Sequence, residues 1–156
     1  MELIKENREK HRAVFLKNET TIHKIWYNKD FAWADNHVYE LEKVNPGYAL
    51  QFDYDIDHAW IDFKRVEGVP ASNFQHTESF IKMIHNFCHD HYKKTQPYAH
   101  GDWVLSNIMI DDQYNIEMVD WDNLQVREPE DVCAKIYSDL KSAFGDRYDE
   151  VLRSMA

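Results

Sequence analysis

Long hydrophobic runs are missing from this sequence: no apolar stretch approaches the about 20 residues that cross a bilayer. Residues 1–10 are dense in charge and lack the apolar core of an export signal. Cysteine is scarce, with 2 in 156 residues, which is too few for a disulfide framework. Cys88 and Cys133 are therefore expected to be reduced thiols of a cytoplasmic protein. Glycine and proline number 4 each, so the places where they cluster stand out as punctuation. Basic residues are outnumbered, 18 Lys plus Arg against 28 Asp plus Glu, for a formal charge of −10. Such a surface repels a nucleic-acid duplex and an anionic lipid bilayer, and neither is expected as a partner.

What is present suffices for a folded chain. Hydrophobic residues make up 44% and aromatics 14%, enough for a packed core in one domain or two small lobes. Residues 12–17 (RAVFLK) and 21–27 (TIHKIWY) are β-branched and aromatic and flank Asn18-Glu19-Thr20, which predicts a hairpin. Phe31, Ala34, Val38 and Leu41 then recur at helical spacing, and Asn45-Pro46-Gly47 ends that helix. Two more strands are predicted over 48–53 and 59–66, separated by an acidic turn at 55–57. Glu67-Gly68-Val69-Pro70 reads as a linker between an N-terminal part, 1–67, and a C-terminal part, 68–156. A long amphipathic helix is predicted over 72–92, with Phe80, Ile84, Phe87 and Cys88 on one side. Residues 97–100 read as extended, 107–110 and 115–119 as short strands around a turn at 111–113, and 129–144 and 146–153 as helices split at Gly145. The order, a small β-rich part followed by a mostly helical one, is an α+β pattern.

The chemistry concentrates in His100-Gly101-Asp102-Trp103-Val104-Leu105-Ser106-Asn107 and in Val119-Asp120-Trp121-Asp122. Asp102 and Asn107 lie at the two ends of a short loop. Asp120 ends a strand predicted to pair with 108–110, and a hairpin of that length brings Asn107 and Asp120 side by side. An amide oxygen and a carboxylate there suit Mg²⁺, which takes few protein ligands and leaves room for phosphate oxygens. Asp102, offset from the cation, is placed to orient a hydroxyl and accept its proton. His85, Cys88, His89, Asp90 and His91 form a second polar cluster, in which His85 and His89 sit one turn apart, as zinc ligands do. Cys88, however, continues the apolar stripe, and the cluster reads as a helix surface.

The H-G-D motif, four residues, N, a hydrophobic strand and then a hydrophobic residue followed by D-W and an acid together resemble the protein-kinase-like superfamily. The resemblance is to its aminoglycoside phosphotransferase and choline kinase branch, in an unusually short form. It implies a two-lobed fold with a β-rich N-lobe and a truncated, mainly helical C-lobe. It implies an ATP- and Mg²⁺-dependent phosphotransferase acting on an alcohol, such as an amino alcohol or a sugar. Asp102 would be the catalytic base, Asn107 and Asp120 would hold Mg²⁺, and His100 would brace the metal-binding turn. Lys24, which shares a strand face with Ile22 and Trp26, would position the phosphates with Glu40 as its helix partner. The backbone of Lys64 and Val66 would meet the adenine.

Two features depart from the pattern. The phosphate-covering loop, expected in the turn of the 12–27 hairpin, has no glycine at 17–21, and Glu19 there would repel phosphate. Only 34 residues follow Asp122, which leaves the acceptor side open and makes a homodimer the expected way to close it. The alternative is a weakly active or inactive kinase-like module that binds nucleotide or a protein partner.

Overall fold

The computed structural model describes residues 1–55 and 58–156, and their contacts divide the chain into two compact units, Met1–Val66 and Glu67–Ala156. The first unit is a five-stranded antiparallel sheet in the order β1-β2-β3-β5-β4. Its strands are β1 (Glu2–Asn7), β2 (Arg12–Asn18), β3 (Thr21–Trp26), β4 (Ala49–Asp55) and β5 (His58–Lys64), and helix α1 (Phe31–Val44) joins β3 to β4. Asp30 starts α1 by accepting from the Trp33 N–H, the usual task of a short acid at an N-cap. The helix turns Ala34, His37 and Leu41 inward. Opposite them the sheet offers Trp26, whose ring lies 4.8 Å from Trp33 and 6.3 Å from Phe63, together with fully buried Ala59 and Ile61. Each large apolar side chain so enclosed contributes about 1.5–3 kcal/mol of burial free energy.

Successive strand residues face opposite ways, so His23 and Asp62, register partners across β3 and β5, occupy the other face of the sheet. Asp62 is 1% exposed and accepts from Lys17 Nζ at 2.5 Å, Gln51 Nε2 at 2.9 Å and His23 Nδ1 at 2.6 Å. Burial alone would raise its pKa, but the hydrogen bonds from Lys17, Gln51 and His23 outweigh it and hold the carboxyl below its ordinary value.

Strand β1 was not expected. Its sequence, ELIKEN, is exposed almost throughout. A charged edge strand has no buried row to give it a two-residue period. The first hairpin is consequently β1–β2, and its turn at 8–11, not the one at 17–21, occupies the place where the resemblance puts the phosphate loop. The expected linker is corrected in part. Val69–Pro70 forms a strand, β6, that pairs with Ile110 and Met109. The acidic turn at 55–57 centres on residues 56 and 57, which lie outside the described residues.

The second unit packs α2 (Glu78–Thr95), α3 (Pro129–Phe144) and α4 (Asp146–Met155) pairwise. Four short strands accompany them and β6: β7 (Tyr98–Ala99), β8 (Ile108–Ile110), β9 (Ile116–Met118) and β10 (Gln125–Val126). They pair as β6-β8-β9 and β10-β7. Helix α2 begins later than its apolar spacing suggested, because Thr77 Oγ1 accepts from the Phe80 N–H at 3.2 Å and fixes the N-cap there. The core combines Ile81, Ile84 and Cys88 of α2, Val132, Ile136 and Leu140 of α3, and Tyr148 and Val151 of α4. Cys88 is inside this core, and burial pushes its thiol pKa up, while Cys133 is exposed on α3. Gly68 sits at φ +131°, where an added Cβ would stand 2.6 Å from the Ile110 carbonyl oxygen, so β6 approaches β8 as closely as only glycine allows.

Candidate active site

In the second unit the chain from His100 to Asn107 forms a loop held from three sides. His100 is fully buried. Its Nε2–H donates to the Val119 carbonyl at 2.8 Å, and its Nδ1 accepts from the Asp102 N–H at 3.2 Å. One imidazole thus ties the start of the loop to the residue before Asp120. These bonds define a neutral tautomer, and burial is the main reason the His100 pKa is held below its ordinary value, against the Val119 carbonyl and the charges of Asp120, Asp102 and Asp122. From α3, Asp139 accepts from the Trp103 N–H at 2.9 Å and is itself paired with Lys135 at 2.8 Å. Beneath the loop His100 packs on Trp121 at 4.8 Å and Trp103 at 5.9 Å, and His91 of α2 lies 5.4 Å from Trp121 and 5.6 Å from Trp103.

Gly101 closes the third side. At φ +84° a Cβ there would lie 2.7 Å from the Asn123 carbonyl oxygen and 3.1 Å from Arg127 Nη2. The loop is therefore packed directly on the segment that follows Asp120, and no larger residue fits.

Asn107 is buried immediately before β8, and its main-chain carbonyl accepts from the Val119 N–H at 2.9 Å. This bond extends the β8–β9 ladder and sets Asn107 opposite the residue that precedes Asp120. The Asn107 Nδ2 donates to the Asp102 carbonyl at 3.3 Å, which leaves the amide oxygen as the atom to offer a cation. Asp120 has φ +59°, a left-handed conformation that aspartate tolerates better than most residues. Such backbone outliers persist where the surroundings over-determine them. The donor set, one amide oxygen and one carboxylate within one constrained hairpin, fits Mg²⁺ with phosphate oxygens and water completing its shell.

The residues named in the first unit are placed as follows. Lys24 is buried on β3 with its Nζ 5.2 Å from the centre of the Trp26 ring, a cation–π contact. Glu40 lies half-buried on α1 and accepts from Asn36 of the same helix at 3.2 Å. Lys64 ends β5, its N–H donating to the Tyr48 carbonyl at 2.8 Å, and Val66 closes the unit. The His85 to His91 cluster does not converge. Cys88 points into the core, His85 Nδ1 lies 2.7 Å from the Tyr148 hydroxyl, and the His85 and His89 rings are 4.5 Å apart. Among the described residues no set of three or more His, Cys, Asp or Glu side chains could hold a metal.

Asp139 escaped the sequence reading, although a signal was present. It falls three residues after Ile136 and one before Leu140, so a carboxylate occupies the buried face of an otherwise apolar helix stripe.

No protein-family profile and no curated protein matches this sequence. Solved structures do. Aminoglycoside phosphotransferase APH(3'')-Id from Streptomyces rimosus superposes with a TM-score of 0.67 over 99% of this chain and 84% of its own, at 13% identity. It has also been solved in complex with ADP and streptomycin, in a form that matches with a TM-score of 0.65 over 92% of this chain and 82% of that one, at 12% identity. Monomeric WbdD matches with a TM-score of 0.62 over 92% of this chain at 14% identity, and the present chain spans only 40% of its length. The kinase PK-1 of Cydia pomonella granulovirus matches with a TM-score of 0.55 over 81% of this chain and 54% of its own, at 17% identity. The chain has a protein-kinase-like fold of the α+β class, the fold of known phosphotransferases. No helix among the described residues is long and apolar enough to cross a membrane.

Proposed function

We propose that this protein is an ATP- and Mg²⁺-dependent phosphotransferase that moves the γ-phosphoryl group to a hydroxyl of a small molecule, an amino alcohol or a sugar, in the cytoplasm. The observation that carries this reading is the pinned loop. His100, Asp139 and Gly101 fix the main chain on both sides of Asp102, and one hairpin bond sets Asn107 against the residue before Asp120. Sites that must hold reacting groups to within a fraction of an ångström are built in this way.

In this reading Asp102 orients the acceptor hydroxyl and takes its proton as the oxygen attacks the γ-phosphorus. The bond from that phosphorus to the β–γ bridging oxygen breaks, and ADP leaves. Asn107 and Asp120 would hold Mg²⁺, whose charge offsets that of the phosphate oxygens. Lys24, with Glu40 on α1, would serve the phosphates, and the main chain at Lys64 and Val66 the adenine. The ADP in the structure of the Streptomyces enzyme supports a nucleotide as donor.

The turn at 8–11 contains no glycine, which favours a second reading, a nucleotide-binding module with weak or no turnover. One experiment separates the two. The pure protein is incubated with γ-labelled ATP and Mg²⁺, with and without a panel of amino alcohols and sugars. Label appearing on an acceptor supports transfer. ATP binding with no label on any acceptor and none released as phosphate supports the module.

A further inference from the structure

A cation, Arg127, is set against the loop that carries Asp102. It follows β10, whose Val126 and Gln125 pair with Tyr98 and Ala99 of β7. The Arg127 N–H donates to the Pro97 carbonyl at 3.1 Å, and its own carbonyl accepts from the Tyr92 hydroxyl at 3.2 Å. The main chain is thus fixed on both sides of the residue, next to the strand that leads into His100. The side chain is half-buried and comes to Gly101, where Nη2 stands 3.1 Å from the place a Cβ would take. Asp102 is the next residue.

Residues 125 and 127 share a face of an extended segment, as alternate residues do. With its amide oxygen turned toward Arg127, Gln125 accepts from Nη1 at 3.2 Å and from Nη2 as well. An amide steadies the guanidinium but brings no charge to neutralise it. Among the described residues no carboxylate pairs with Arg127, although the chain has 28 acids and a formal charge of −10. Lys82, Lys135 and Lys141 of the same unit are each paired with an acid. The guanidinium does not tie down the loop either, because the loop is held through His100, Trp103 and Asn107. A guanidinium has more N–H groups than one amide oxygen takes up. Those that remain, with their charge, match the paired oxygens of a phosphate or a carboxylate.

We propose that Arg127 determines specificity on the acceptor side by holding an acidic group, a phosphate or a carboxylate, borne by the alcohol whose hydroxyl meets Asp102. The acceptor is then an acid-bearing sugar, and an amino alcohol, which is cationic, is disfavoured by like charge. That the anion belongs to an acceptor rests on the functional reading above. The uncompensated guanidinium beside Gly101 does not.

Calorimetric titration of the whole protein with glucose 6-phosphate, glucuronate and glucose, without ATP, tests it. In the wild type at least one acid-bearing sugar is expected to bind about tenfold or more tighter than glucose, with the gap narrowing as salt is added. The sugar that shows the gap names the group, phosphate or carboxylate. Arg127→Gln is expected to close the gap. Arg127→Lys, which keeps the charge without the fork, is expected to keep part of it. The absence of a gap in the wild type overturns the site, and so does a gap that Arg127→Gln leaves unchanged. An ATP affinity that falls with Arg127→Gln as far as the sugar affinity does would put the guanidinium on the donor and overturn the assignment. The labelled-ATP assay keeps the two claims apart. Transfer that needs Asp102 but ignores both Arg127 and the charge of the acceptor leaves the transferase and removes the anion site. Arg127-dependent binding of an acid-bearing sugar in a protein that transfers nothing does the reverse.

Discussion

His100 and Val119 are joined by a 2.8 Å hydrogen bond from imidazole to carbonyl, and through it the two acid-bearing segments of the second unit share one buried side chain. Replacing His100 by Ala would leave the Val119 carbonyl and the Asp102 N–H without their partner and open a cavity under two tryptophans. The expected cost is about 2–4 kcal/mol, read as a lower urea midpoint with an unchanged slope.

Asp102 should separate stability from rate. The hydrogen bonds that Asp102 makes in the loop run through its main chain, so Asp102→Asn is expected to melt within a degree or two of wild type. Transfer, where measured, should fall by about a hundredfold or more. Equal rates in the two proteins would remove Asp102 from the chemistry.

Asp120 is tested through binding linkage. Mg²⁺ together with ATP should raise the melting temperature of the wild type above the level reached with ATP alone. Asp120→Asn, which keeps the size and the tolerance for a left-handed backbone, should erase the Mg²⁺-dependent increment. A persistent increment would place the cation elsewhere.

Asp62 gives the sheet an acid-sensitive contribution. Its folded-state pKa is lowered by Lys17, Gln51 and His23 against the opposing effect of burial. The stability it supplies is therefore fully present above the ordinary carboxylate value and disappears as pH falls through the lowered one. Asp62→Asn should cost about 3 kcal/mol at neutral pH, and the gap to wild type should close in strong acid. Denaturant titrations at several pH values would show whether it closes.

His91 acts at higher pH. Burial, then His100 and Lys94, push it down from the ordinary 6.5 to about 4. Between those values the unfolded chain binds a proton that the folded chain refuses, so stability falls as the solution is acidified across that window. The share of His91 is about 3 kcal/mol, and His85, His89 and His100 are shifted the same way. His91→Gln should flatten the slope between pH 6.5 and 4. An unchanged slope would assign it to the other histidines.

The bounds of helix α1 were legible because Phe31, Ala34, Val38 and Leu41 show its period and Asn45-Pro46-Gly47 its end, but its inward face is Ala34, His37 and Leu41, with Phe31 left exposed. The short strands around Asn107 and Asp120 were legible because a turn, Asp111-Asp112-Gln113, separates the apolar run Ile108-Met109-Ile110 from Ile116 and Met118, which alternate with Glu117. Strand β1 was not, since an exposed edge leaves no periodic trace, and with it went the position of the first hairpin. The start of α2 was hidden because Phe74 and Phe80, which stack at 5.6 Å, extend the apolar look upstream of the Thr77 cap. Asp102 and Asp120, with Asn107, could be named from their spacing around a loop and a hairpin. The place of Asp139 on the α3 stripe marked it as buried, but not its contact with Trp103, which spans 36 residues of sequence and depends on how α3 docks.

The two thiols differ in a way that suits labelling chemistry. Maleimides react with the thiolate at accessible sulfur. Cys88 is enclosed among α2, α3 and α4 with its pKa raised, and Cys133 stands exposed on α3. The native chain thus offers a single attachment point for a dye or spin probe. That point lies on the helix whose Asp139 holds the Trp103 amide, so a reporter at Cys133 would follow the support of the Asp102 loop without any cysteine being added or removed.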